Sequence, residues 1–193
     1  MIRANTAVDF TEEAMGAGTV RHTVDEIYAL PEGQRAELID GVIYDMASPK
    51  RIHQELVMYL SVEISLYIRS HKGSCKVYPA PFAVLLFNDR YNYVEPDVSV
   101  ICDPSKLDDR GCNGAPDWVI EIVSESSRTM DNLIKLEEYR KAGVREYWIV
   151  DPSKHTVRVY GFDPLAYGEY AFGQPVPSNT LEGLELDFAD FAG

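Results

Sequence analysis

Cysteine is scarce in this 193-residue chain, long hydrophobic runs are missing, and the C-terminal stretch 161–193 contains no base. Each shortage excludes something. Cys75, Cys102 and Cys112 are odd in number, widely spaced and without a CxxC pair, so neither a zinc ribbon nor a disulfide framework is indicated and all three read as ordinary thiols. No run of about 18 apolar residues offers a membrane span, and the opening MIRANTAVDFTEEAMGAG has no signal-peptide core. A soluble, cytoplasmic protein is expected. The formal charge of −13 argues against a general nucleic-acid coat, which needs clustered Lys and Arg. That objection weakens once the charge is located. Residues 1–36 hold six acids and three bases, and residues 161–193 hold six acids, whereas 37–160 carries 19 acids against 15 bases. The acidity sits in the flanks, and KRIH (50–53) and IRSHKGSCK (68–76) are locally basic.

What is present is 46% hydrophobic content, enough for one globular domain over 23–193 behind a flexible segment 1–22. TVDEIYALPEG (23–33) reads as a short capped helix ended by Pro31 and Gly33, and RAELIDGVIYDMA as two strands joined at Asp40-Gly41. From His53 to Ser70, the apolar positions Leu56, Leu60, Ile64, Tyr67 and Ile68 keep helical spacing over about four turns. KVYPAPFAVLLF (76–87), YVEPDVSVIC (93–102) and DWVIEIVS read as strands. A Ser/Thr-rich turn then offers N-caps to a helix over MDNLIKLEEYRKAG, stopped at Gly143. REYWIVD (145–151) and HTVRVYGF (155–162) follow as strands around an Asp-Pro-Ser-Lys turn. The order from 53 to 151 is α-β-β-β-α-β, an α/β fold, α+β in some schemes, with a helix and hairpin before it and a C-terminal β extension. The tail from Gly161 reads as loop, with LEGLELDFADF as a short strand or helical turn.

One residue does not suit its strand. Along DWVIEIVS, Trp118, Ile120 and Ile122 point one way and Val119, Glu121 and Val123 the other, so both faces are apolar and Glu121 is expected to be at least half buried. A buried carboxylate needs a cation or a hydrogen-bond network. Taken alone, Glu121 reads most simply as half of a salt bridge. Asp97, at the start of the preceding strand in EPDVSV, changes that: two carboxylates brought together on adjacent strands suit a hard divalent cation with oxygen ligands. Asp131, Lys135 and Tyr139, spaced four apart, form one stripe of the following helix that can return over the pair.

ELIDG, His53, EPDVSV, VIEIVSESS and DNLIKLEEYRKAGVREYWIVDP, in this order over roughly 23 to 160, resemble the Uma2 family. This is the domain of unknown function 820, within the PD-(D/E)XK restriction-endonuclease-like superfamily. The resemblance implies a restriction-endonuclease-like core and catalytic roles for Asp97, Glu121 and Lys135. It implies metal ligation by Asp97 and Glu121, with Glu37 of ELIDG as a further candidate ligand and a solvent-facing hairpin glutamate as the alternative. His53 would touch a phosphate or orient a ligand, or be merely structural. One departure stands out: the superfamily lysine normally follows the acid by two residues, but Val123 stands there, and the lysine has moved to Lys135 on the helix.

Those groups suit phosphodiester hydrolysis, with Mg²⁺ as cofactor and Mn²⁺ able to substitute, and Lys135 neutralising transition-state charge. The SESS serines have no histidine at motif spacing, so serine hydrolysis ranks low. A double-stranded DNA endonuclease of restriction type, acting as a homodimer, is the expected function. RNA is a less favoured substrate. The alternative is a catalytically inactive module that kept the fold to bind a protein partner.

Overall fold

The computed structural model describes residues 21–124, 127 and 129–192, so most of the expected flexible segment, residues 1–20, lies outside them. Helix α1 (Val24–Tyr28) begins at Thr23, whose N–H donates to the Glu26 carboxylate at 3.2 Å. Strands β1 (Ala36–Ile39) and β2 (Val42–Asp45) form the expected hairpin. Its turn has φ of 51° at Asp40 and 79° at Gly41, the two positive values a two-residue hairpin loop requires. A side chain at Gly41 would also meet the Cβ of Arg21 at 2.8 Å. Helix α2 (Arg51–Ser70) starts two residues before the expected His53 and buries Leu56, Val57, Leu60, Ile64 and Ile68.

After α2 come β3 (Lys76–Pro79), β4 (Ala83–Leu85), β5 (Val98–Ile101), β6 (Leu107–Asp108), β7 (Gly111–Asn113) and β8 (Trp118–Ile122). A wide π-type helical turn (Met130–Lys135) runs into α3 (Leu136–Ala142), which ends at Gly143 with φ 92°. Strands β9 (Glu146–Asp151), β10 (Thr156–Phe162), β11 (Leu165–Ala171), β12 (Val176–Pro177) and β13 (Glu185–Leu186) complete the chain with a 3₁₀ turn at Ala189–Phe191. Six strands form the main sheet in the order β11-β10-β9-β8-β5-β3. The β8–β9 pair is parallel, joined by the α3 crossover, and its other pairs are antiparallel. Four of its strands and two helices, in the order α2, β3, β5, β8, α3 and β9, reproduce the expected α-β-β-β-α-β order.

The alternation read from DWVIEIVS is the alternation found. Trp118, Ile120 and Ile122 pack with Trp148 and α2 on one face. Val119 and Val123 pack with Tyr139, Tyr147 and Ile149 on the other. Glu121 belongs to this second face, under the wide turn and α3.

Four expectations need correction. Segment 76–87 is two strands in different sheets: Pro79 and Pro81 lack amide donors, and past them β4 leaves the main sheet to pair parallel with β7. Only Val98–Ile101 of 93–102 joins the main sheet, while Tyr93 and Val94 bridge to Leu38 and Val84. The tail is not mainly loop, because β11 pairs over its seven residues with β10. Its strand pattern is hidden in the sequence because this edge strand is largely exposed. The cysteines are not all thiols: the β3–β5 register aligns Lys76 with Ile101, so Cys75 faces Cys102 one step further, and the two form a disulfide. Cys112 is the buried free thiol, and burial pushes its pKa up to about 11.

Candidate functional site

The β5–β8 register ends with Val98 paired to Ile120, so Asp97, one residue before β5, comes beside Glu121 and acts on it electrostatically. Glu121 is only 4% exposed. Its Oε1 accepts from the Tyr139 hydroxyl at 2.7 Å and from Lys135 Nζ at 2.9 Å. Asp97 is held from two other sides: its Oδ2 accepts from the Ile122 backbone N–H at 2.7 Å and lies 3.0 Å from His53 Nε2. His53 thus reaches Asp97 from the first turn of α2, and its buried Nδ1 has no hydrogen-bond partner among the described residues.

Lys135 is 5% exposed and central. Besides Glu121, its ammonium lies 2.9 Å from Glu37 Oε1, 2.8 Å from Glu37 Oε2 and 3.8 Å from Asp131 Oδ1. Glu37 is therefore not a solvent-facing hairpin residue. It is buried, grips Lys135 with both oxygens, and accepts the Glu95 backbone N–H at 3.0 Å. Glu95 is itself tied to Arg35 and receives the Tyr93 hydroxyl at 2.6 Å. Asp131, which the sequence places on the Lys135–Tyr139 stripe without a role of its own, joins the site. It is 2% exposed, and the Tyr147 hydroxyl donates to its backbone carbonyl at 3.0 Å within the wide turn.

Charge in this cluster does not balance. Four carboxylates, those of Glu37, Asp97, Glu121 and Asp131, face one ammonium and one imidazole. Burial pushes the Glu121 carboxyl well above the usual carboxylate range; Lys135 counters part of that, and Asp97, Asp131 and Glu37 push it further. Burial likewise lifts Asp131 to about 6, against the pull of Lys135 and the Ser127 hydroxyl. For Lys135 burial works against the charge, yet Glu121, Glu37 and Asp131 outweigh it and hold the ammonium well above its usual range. Tyr139 is pushed far up by burial and by Glu121, so it stays a hydrogen-bond donor.

Among the described residues, no three His, Cys, Asp or Glu side chains close into a ready metal cage. The ammonium of Lys135 already stands between Glu37, Glu121 and Asp131. What remains is a two-carboxylate set. The hydrogen bonds to Asp97 fall on Oδ2 and those to Glu121 on Oε1, so Oδ1 of Asp97 and Oε2 of Glu121 have no hydrogen-bond partner among the described residues. Two hard oxygens amid surplus negative charge fit Mg²⁺, which keeps several waters and takes one or two carboxylates.

Comparison with known proteins agrees with this architecture. The crystal structure of "a putative nuclease belonging to DUF820" from Anabaena variabilis ATCC 29413 is similar with a TM-score of 0.68, over 88% of this chain and 97% of that one, at 24% identity. The likeness extends to the fold. The uncharacterized protein slr1290 of Synechocystis is 27% identical over 130 residues, which is 66% of this chain and 66% of that protein, just under two thirds of its length. A family model described as "Putative restriction endonuclease" matches residues 24–189, from α1 to the last 3₁₀ turn. With this span covering every residue of the site from Glu37 to Tyr139, the chain belongs to the Uma2 family.

Proposed function

We propose that this protein is a Mg²⁺-dependent endonuclease that hydrolyses phosphodiester bonds of double-stranded DNA, with Mn²⁺ able to replace Mg²⁺. The observation that carries this reading is the pair of unshared oxygens, Asp97 Oδ1 and Glu121 Oε2, presented from adjacent strands in register. These two residues would hold the cation. When bound, it supplies Lewis-acid polarisation of the phosphate and a more acidic water. The chain's own groups do the rest. His53 and the Ile122 amide fix Asp97, and Tyr139 fixes Glu121, so each acid offers its other oxygen. Lys135, kept protonated by Glu37 and Glu121, puts a fixed positive charge beside the reacting phosphate, where negative charge grows in the transition state. Glu37 acts here by holding Lys135.

No helix among the described residues is long and apolar enough to cross a membrane, and a cytoplasmic location suits a DNA substrate. Two copies acting together would cut both strands. The test is supercoiled plasmid DNA incubated with Mg²⁺, Mn²⁺ or EDTA, alongside Asp97→Asn and Glu121→Ala. Nicking that needs the ion and both acids supports the proposal. Equal nicking by the variants exposes a contaminant. An inert protein that still binds Mn²⁺ points to the non-catalytic module, and preferential cleavage of an RNA duplex replaces the substrate.

A further inference from the structure

The solvent side of α2 carries an apolar stripe that no described residue covers. Met58, Val62 and Leu66 are 65%, 42% and 51% exposed, large values for apolar side chains on one helix face. Glu55 and Arg69 bound the stripe, both exposed. The five positions 55, 58, 62, 66 and 69 are spaced 3-4-4-3, a pattern that reads the same in both directions about Val62. An open groove of about 640 Å³ lies against the stripe, walled by Met58, Tyr59, Val62 and Phe191.

We infer that this face binds a second copy of the chain, with the two α2 helices antiparallel and Val62 at the two-fold axis. A two-fold interface must be self-complementary, and this stripe is. Turning one copy over sets Met58 beside the partner's Leu66, which enters the Met58–Tyr59–Phe191 groove, and sets Glu55 beside the partner's Arg69. A parallel pairing would instead oppose Glu55 to Glu55 and Arg69 to Arg69, which is repulsive. Arg69 has no ion-pair partner among the described residues, and Glu55 has only the exposed Arg51 of its own helix, a weak claim on it. The rim is charge-balanced, Glu55 and Glu63 against Arg51 and Arg69, so it offers no basic tract for a nucleic acid.

A stripe of three apolar side chains is small beside a standard interface of roughly 800 Å² per partner, so a reversible monomer–dimer equilibrium is expected. His53 stands nine residues before Val62, so the two His53–Asp97 pairs lie roughly 27 Å apart along the helix direction. The inference names the face for the two-fold assembly proposed above. It can fail while the nuclease chemistry stands, because no stripe residue belongs to the site.

Sedimentation equilibrium of the full chain from about 1 to 500 µM tests it, with circular dichroism to check folding. A monomer–dimer equilibrium is expected, weakened at least tenfold in Val62→Glu, a surface position that leaves the core intact. Glu55→Arg and Arg69→Glu should each weaken the dimer several-fold, and the double charge swap should restore it. A monomer throughout, a dimer indifferent to Val62→Glu, or a double swap that stays weak overturns the inference.

Discussion

Glu121, already paired with Lys135, is either a metal ligand as well or a purely structural ion-pair partner, and Glu121→Gln separates the two because they give opposite signs when no ion is present. The change keeps the shape of the side chain. Gln can still accept from Tyr139 and Lys135, which now stand at 2.7 and 2.9 Å from Oε1, but those bonds lose their charge assistance, costing about 2 kcal/mol together. Lys135 is not left alone, since Glu37 still grips it at 2.8 and 2.9 Å and Asp131 stands 3.8 Å away. Against that loss, the variant no longer buries a charge and no longer sets it against Asp97, Asp131 and Glu37, which removes a penalty of several kcal/mol. The net expectation in EDTA is a gain of about 1–2 kcal/mol. For a domain of this size that is a melting temperature roughly 2–8 °C above the parent. Mg²⁺ at a hundred times its dissociation constant should stabilise the parent by about 2.7 kcal/mol through binding linkage, and the Gln variant should lose most of that. The assay is thermal unfolding of both proteins in EDTA and in Mg²⁺. A Gln variant destabilised by about 3–5 kcal/mol and indifferent to Mg²⁺ would refute the reasoning and leave Glu121 as a purely structural ion-pair partner.

Lys135→Met removes the one cation shared by Glu37, Glu121 and Asp131, so urea unfolding at pH 7.5 should show a loss of about 3–5 kcal/mol, smaller at pH 5; a loss under about 1 kcal/mol at pH 7.5 contradicts the charge argument. Asp131 is lifted from 3.8 to about 6, so between those values the folded chain holds a proton the unfolded chain has released. Stability from this group therefore falls as pH rises through that window, by at most about 1.4 kcal/mol per unit. Unfolding curves of metal-free parent and Asp131→Asn between pH 4 and 7 should diverge accordingly, and parallel curves would refute the shift. The Cys75–Cys102 disulfide closes a loop of separation 27, so Cys75→Ser or reduction should cost up to about 3.5 kcal/mol. Denatured protein should titrate one free thiol before reduction and three after, and three beforehand would show that the bond does not form.

Local pattern alone determined much of this protein. The Asp40-Gly41 hairpin, the apolar stripe from Leu56 to Ile68 and the Gly143 stop are each set by neighbours a few residues apart, and they are legible for that reason. The two-face burial of Trp118–Ile122 follows in the same way, and with it the anomaly of Glu121. Asp97 and Glu121 could be paired on paper because both sit on strands of the expected core. The sheet order and register, with Val98 paired to Ile120, then decided that they stand side by side one step beyond that pair. Other features were beyond any local pattern. Glu37 meets Lys135 across 98 positions of sequence, and only the tertiary fold brings the hairpin over the wide turn. The four-residue spacing puts Asp131 on one stripe with Lys135, but only its burial in the assembled fold makes it a site residue. Cys75 and Cys102 became a disulfide through a strand register that odd, widely spaced cysteines do not reveal. Strand β11 carries no local signature, because an exposed edge strand has no apolar face to mark its period. Short-range periodicity writes which side of an element is buried, whereas the choice of partner across that buried face is settled only when the sheet is assembled and every buried charge must find its counterpart.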